Sequence, residues 1–143
     1  MVKSLKNYTK KVRSSSIFQK DVTVKFLELL IMIKLFHWKT LSYATHKATD
    51  ELYSKLNEHI DTFIEILLGK TKIRTNLLNK HKISLIDLSN KEQLSKRINL
   101  YKSYMINLSN NSFIRSMSNT DLLNVRDEIL GDLNQFLYLL TLD

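Results

Sequence analysis

No proline occurs anywhere in the 143 residues, and the only two glycines stand at positions 69 and 131. A proline inside a helix costs about 3 kcal/mol and a glycine about 1 kcal/mol relative to alanine. A chain with almost none of either has few enforced breaks, and long helices joined by few turns are the expected outcome. The fold class expected is all-α. Cysteine is also absent, which rules out disulfides and suits a reducing compartment. At this length the chain is one ordinary domain with a core large enough to need no cross-links.

Apolar spacing divides the chain into four helices. Ser16 with Gln19 three residues on reads as a capping box, and Ile17, Val22, Phe26, Leu29, Leu30, Ile33 and Phe36 follow, predicting a first helix over 17–39. After a tight connection at 40–42, the second helix runs to Gly69, a residue suited to the left-handed position that closes a helix. Its packing stripe is Leu52, Leu56, Ile60, Phe63, Ile64 and Leu67. Residues 70–89 mix bases with short apolar groups without a sustained period, and read as a long connection with room for a short crossing helix. Such a connection joins parallel second and third helices in an up-down bundle. Asn90 with Gln93 opens a third helix through Leu94, Ile98, Tyr101, Met105 and Leu108. The Ser- and Asn-rich run 108–119 is a turn, and a fourth helix starts near Asn119 or Thr120 and carries Leu122, Val125, Ile129, Leu133, Phe136, Leu137 and Leu140. Gly131 within it marks a close helix approach or a bend.

The net charge is +8, from 22 Lys and Arg against 14 Asp and Glu, and it is uneven. Lys3, Lys6, Lys10, Lys11 and Arg13 all precede the first acid, Asp21. Residues 1–15 lack apolar periodicity and read as a mobile basic tail ahead of a single domain over 16–143. Such a tail is either a solvated end or a phosphate-binding segment, and the surplus charge favours an anionic partner such as DNA. The polar start does not read as a secretory leader, and none is expected. The most apolar run, Phe26 to Phe36, contains Glu28 and Lys34 and is shorter than the roughly 20 residues a bilayer span requires, so no membrane is expected. Phosphate loops, zinc-type cysteine pairs and nucleophile elbows are all missing.

The chemistry is concentrated on the second helix. Taking His46 as zero and about 100° per residue, Asp50 falls near 40°, Asp61 near 60° and Glu65 near 100°, all on one face. His59 falls near 220° and reads as exposed; Glu51 and Glu58 are also off the stripe, and His81 lies in the basic connection without a carboxylate at ligand spacing. The His46/Asp50 and Asp61/Glu65 pairs are separated by roughly 22 Å of helix rise, so one helix cannot close them around one ion. Two copies lying antiparallel about a two-fold axis near Lys55 and Leu56 bring each chain's His46/Asp50 to its partner's Asp61/Glu65 and create two identical sites. Imidazole with carboxylate suits iron, manganese or zinc, and the lack of thiolates disfavours softer metals.

The pattern His37-Trp38, a short loop, His46-x-x-x-Asp50, then Asp61-x-x-x-Glu65 on one helix resembles the ferroxidase signature of the Dps-type mini-ferritins. The loop between His37 and His46 is shorter than in typical bacterial members. The resemblance implies a ferritin-like four-helix bundle whose long connection lies between helices 2 and 3. It implies His37, His46 and Asp50 as ligands from one subunit, Asp61 and Glu65 as ligands from its neighbour, and Trp38 beside the site. Two ferrous ions at each intersubunit site would be oxidised by hydrogen peroxide, in a dimer or in a shell of twelve subunits, with DNA shielded through the lysine-rich N-terminus. Family cages also carry many acids on their inner surface, whereas between Glu65 and Asp121 this chain has only Asp87 and Glu92. Iron oxidation is therefore favoured over bulk storage.

The wording from His37 to Tyr53 also resembles small ferritin-like proteins of large DNA viruses and phages, which implies a virion or host cytoplasm as the setting. It keeps open an alternative: a catalytically silent, structural or virion-associated protein that retains the bundle and uses its basic surface to hold nucleic acid.

Overall fold

The computed structural model describes residues 2–74, 76 and 82–142, and the described residues are helical with no strand. Helix α1 spans Val2–Lys39, α2 Tyr43–Thr71, α3 Lys91–Asn107, α4 Ser112–Arg115 and α5 Thr120–Leu139, with a 3-10 turn at Leu108–Asn110. The four long helices are the four expected ones. Among the described residues no helix is long and apolar enough to cross a membrane.

Each long helix contributes an apolar stripe to one core. Val22, Phe26, Leu29 and Met32 from α1 meet Leu56, Phe63 and Leu67 from α2, and all seven are at most 1% exposed. Phe26 and Phe63 pack edge to face at 5.3 Å, the arrangement that aromatic quadrupoles favour. Leu94, Ile98 and Met105 of α3 and Leu122, Ile129 and Leu133 of α5 complete the core, all at 0% exposure. Residues three and four apart on a helix share a face, which is why the predicted stripes are the buried ones. Ile17 departs from this, at 61% exposed, because Phe18 is the residue that faces inward there.

Polar contacts pin the helices in register. Gln19 Nε2 donates to Thr71 Oγ1 at 2.8 Å, joining the bundle end of α1 to the end of α2. Lys70 Nζ bonds Asp121 at 2.7 Å and Lys55 Nζ bonds Gln135 Oε1 at 2.9 Å, so α5 runs against α2. Tyr104 of α3 donates to Asp21 of α1 at 2.7 Å. Arg126 of α5 is 8% exposed and donates to the Met105 carbonyl at 3.0 Å.

Several helix ends differ from expectation. Residues 2–15 are the first turns of α1 rather than an unstructured tail. Nothing from Val2 to Lys39 breaks a helix, lysine and arginine are good helix formers, and the buried half of α1 provides a nucleus from which the helix extends. The capping box at Ser16 is therefore not used, and Gln19 bonds Ser15 Oγ and Thr71 Oγ1 instead. Helix α2 continues past Gly69, and Lys72 takes the left-handed closing conformation at φ 56°. Space is open beside Gly131, so that glycine does not mark a close helix approach. Asn90 caps α3 by accepting from Gln93 N at 2.9 Å, while Gln93 Oε1 accepts from Ser89 N at 2.8 Å. The described residues of 72–89 contain no crossing helix. Thr75 and residues 77–81, with His81, lie outside the described residues.

Candidate metal centre

The short turn at 40–42 determines how the two histidines meet. Ser42 caps α2, its side chain accepting from Thr45 N at 3.2 Å, and Thr40 Oγ1 accepts from Ser42 N at 3.2 Å. The chain reverses at once, so the last turn of α1 lies against the first turns of α2. His37 and His46 then stack, with ring centroids 3.9 Å apart and planes 22° apart.

The stacked pair is cross-bonded. His37 Nδ1 lies 3.0 Å from the His46 carbonyl, and His46 Nδ1 lies 3.1 Å from the His37 carbonyl. A carbonyl oxygen can only accept, so each Nδ1 carries a proton, and in the neutral ring each Nε2 keeps a lone pair. That is the tautomer of a histidine that ligates through Nε2 while its other nitrogen is held by a backbone oxygen. The His37 carbonyl would otherwise be one of the unsatisfied acceptors at the end of α1.

Thr49, fully buried, steadies the pair. Its hydroxyl donates to the carbonyls of Thr45 at 2.8 Å and His46 at 3.0 Å, and lies 3.2 Å from His37 Nδ1. His37 itself is 8% exposed. Its Nε2 is 3.9 Å from Asp50 Oδ1, and the Asp50 side chain is 57% exposed. The structure thus brings His37, His46 and Asp50 together at one end of α2.

Asp61 and Glu65 are not part of this cluster. They are exposed on the same α2 face toward its other end, as the helix rise requires. Within one chain, no group of three or more His, Asp or Glu side chains among the described residues is arranged to hold a metal ion. Trp38 is 68% exposed beside the His37 end. With Ile31 and Leu35 of α1 and Tyr53 of α2 it borders a groove of about 320 Å³.

The N-terminal cations Lys3, Lys6, Lys10, Lys11 and Arg13 are all exposed on α1. On a helix, Lys3, Lys6, Lys10 and Arg13 fall within an arc of about 80°, and Lys11 points elsewhere. They form a straight cationic ridge in place of the expected loose tail.

Sequence reasoning set His59 aside as exposed, but its side chain is only 24% exposed and sits against α5. Its Nδ1 meets Asp132 Oδ2 at 2.6 Å and its Nε2 meets Glu128 Oε2 at 3.2 Å. The spacing of Glu128 and Asp132, four apart on one helix, was a visible signal. Only the pairing of α2 with α5 shows which residue they face.

A family model matches residues 37–140, and the chain belongs to that family, DUF5856, a family of unknown function. The matched region starts at His37 and includes all five candidate ligands. No curated protein and no solved structure matches the chain.

Proposed function

We propose that this protein is a ferritin-like, Dps-type ferroxidase that takes Fe(II) as substrate at sites shared between two copies, with a basic N-terminal helix that holds DNA. The observation that carries the reading is the cross-bonded histidine pair. Its hydrogen bonds commit both Nδ1 atoms and leave the Nε2 atoms for a ligand, that of His37 lying 3.9 Å from the Asp50 carboxylate. Two imidazoles with a carboxylate form a donor set suited to ferrous iron.

A ferritin-like topology is supported by where the ends lie. Thr71, ending α2, is bonded to Gln19, whereas Lys39 beside the start of α2 pairs with Asp87, just ahead of α3. The start of α3 thus lies at the same end of the bundle as the start of α2, which supports parallel second and third helices, as in bundles with one long crossover.

The shared site is supported by the exposed face of α2. Asp61 and Glu65 are carboxylates with no partner in their own chain among the described residues. The groove bordered by Ile31, Leu35, Trp38 and Tyr53 lies next to the same face. An antiparallel second copy covers the groove and delivers Asp61 and Glu65 to the histidine end. Each of two ferrous ions then gives one electron to hydrogen peroxide, the O–O bond breaks, and two protons complete two waters. No hydroxyl radical is released, and DNA on the cationic ridge is spared.

Two variants test the oxidation. Asp61→Ala and Glu65→Ala should each abolish peroxide-driven iron oxidation while leaving the circular dichroism spectrum unchanged. Unchanged oxidation in both variants would remove Asp61 and Glu65, and with them the shared site, from the reading; an unaltered chain that oxidises no iron would leave the silent structural reading in its place. For the DNA arm, replacing Lys3, Lys6, Lys10 and Arg13 by alanine should lower the salt slope of binding by roughly one unit for every phosphate that is no longer neutralised. A salt slope equal to that of the unaltered chain removes the ridge from the account.

A further inference from the structure

Away from the candidate metal face, the N-terminal half of α1, the end of α2 and the turn around α4 border a cleft of about 620 Å³. Cavities of roughly 300–1,000 Å³ hold small molecules. Its walls divide by chemistry. Val12, Ile73, Phe113 and Met117 supply apolar surface, and Tyr8 stands at the rim, 70% exposed.

Three lysines, Lys11, Lys70 and Lys72, border the same cleft. Lys70 is held by Asp121 at 2.7 Å. Lys11 and Lys72 have no ion-pair partner among the described residues, so the cleft keeps a net positive charge. The Lys72 backbone is set there by the left-handed turn that closes α2.

Hydroxyls make up the remainder. Ser116 already donates to the Phe113 carbonyl, which leaves its oxygen able to accept, whereas Thr71 Oγ1 both donates to the Leu67 carbonyl and accepts from Gln19. Ser118 makes no hydrogen bond among the described residues and can do either.

A purely apolar anion would leave these hydroxyls unused, and a bare phosphate would leave the apolar wall uncovered. A ligand with a flat, hydrogen-bonding body and an anionic group uses all three surfaces. We infer that this cleft binds a nucleotide unit, its phosphate on Lys11 and Lys72 and its base between Tyr8 and the Phe113 wall. Base stacking on an aromatic side chain combined with lysine contacts to phosphate is how single strands and free nucleotides are held without sequence readout. The unit is supplied either as a free nucleotide or as one residue of a single strand. Neither source requires the metal site or the outer ridge.

The test uses the full chain and calorimetric titration with adenosine 5′-monophosphate, adenosine, a short oligothymidylate and decanoate. Saturable binding of the monophosphate at one site per chain, at least tenfold tighter than adenosine, is expected. Ser118→Trp, which fills the mouth without changing charge, and Lys72→Asn, which tolerates the left-handed conformation, should each weaken it at least tenfold. The ridge variant with Lys3, Lys6, Lys10 and Arg13 replaced should bind the monophosphate unchanged, which separates this site from the DNA ridge. Competition by oligothymidylate assigns a strand as the source, and its absence assigns the free nucleotide. Absence of monophosphate binding, binding indifferent to both cleft variants, or preference for decanoate would overturn the inference.

Discussion

If the site is shared across a two-fold axis, two dead variants should rescue one another. One chain carries Asp61→Ala and Glu65→Ala; the other carries His46→Ala and Asp50→Ala. The two pairs are roughly 22 Å apart along one helix, so no chain serves itself, and each homodimer lacks one half of every site. A heterodimer joins the intact His37, His46 and Asp50 of the first chain to the intact Asp61 and Glu65 of the second, restoring one of its two sites. Random pairing from an equal mixture makes half of all dimers mixed, so recovered capacity is about one quarter of the unaltered protein. Asp50, Asp61 and Glu65 are exposed, and such surface changes normally cost within about 0.5 kcal/mol; His46→Ala also removes a half-buried ring bonded to the His37 carbonyl, a loss of about 1 kcal/mol, and circular dichroism on each homodimer checks that both variants fold. The assay is peroxide-driven iron oxidation after co-expression with two affinity tags, read on the whole mixture and on the doubly tagged fraction. Recovery near one quarter in the mixture and one half in the doubly tagged fraction is the expected pattern. A doubly tagged dimer with no activity would refute the shared geometry.

Two further outcomes follow from the packing. Burial pushes the Tyr101 hydroxyl up to about 12, helped by Glu28, and pushes Tyr104 up further, helped by its bond to Asp21. Protons held more tightly in the folded chain make stability fall as pH rises past the free tyrosine value near 10, so chemical denaturation should show full stability below pH 10 and a decline above it that Tyr101→Phe lessens. His59→Ala strands the Asp132 carboxylate, whose side chain is 12% exposed, and should cost about 1–3 kcal/mol; Asp132→Leu in that background should recover part of the loss, as read from urea midpoints.

The long helices were readable because burial follows a period that the residues display. Leu94, Ile98, Tyr101 and Met105 are spaced for one face, and one face is what packs. Helix ends were less readable. Lysines at 3, 6, 10 and 11 resemble a solvated tail in composition, and only continuity with the packed turns beyond Ser15 makes them helical. Gly69 suited a helix end by its conformational freedom, yet contacts of Lys70 and Thr71 carry α2 onward.

At the candidate metal face, spacing located His46, Asp50, Asp61 and Glu65 on one side of one helix. It did not reveal that His37 and His46 lock each other's tautomer, because that depends on how sharply residues 40–42 turn. Thr49 carried no signal of its own, since a threonine inside a helix ordinarily bonds its own backbone. His59 was misread for the complementary reason: its partners are on α5, and periodicity along α2 cannot show what lies across the interface.

The most direct measurement of the central claim is an anaerobic ferrous titration followed by a hydrogen peroxide pulse, with the mass of the species in solution read in parallel. The account predicts a dimer or larger assembly that saturates at about two irons per intersubunit site and oxidises them rapidly on the pulse. A well-folded dimer that takes up no iron at stoichiometric excess, or a monomer that oxidises iron at the same rate, would contradict it.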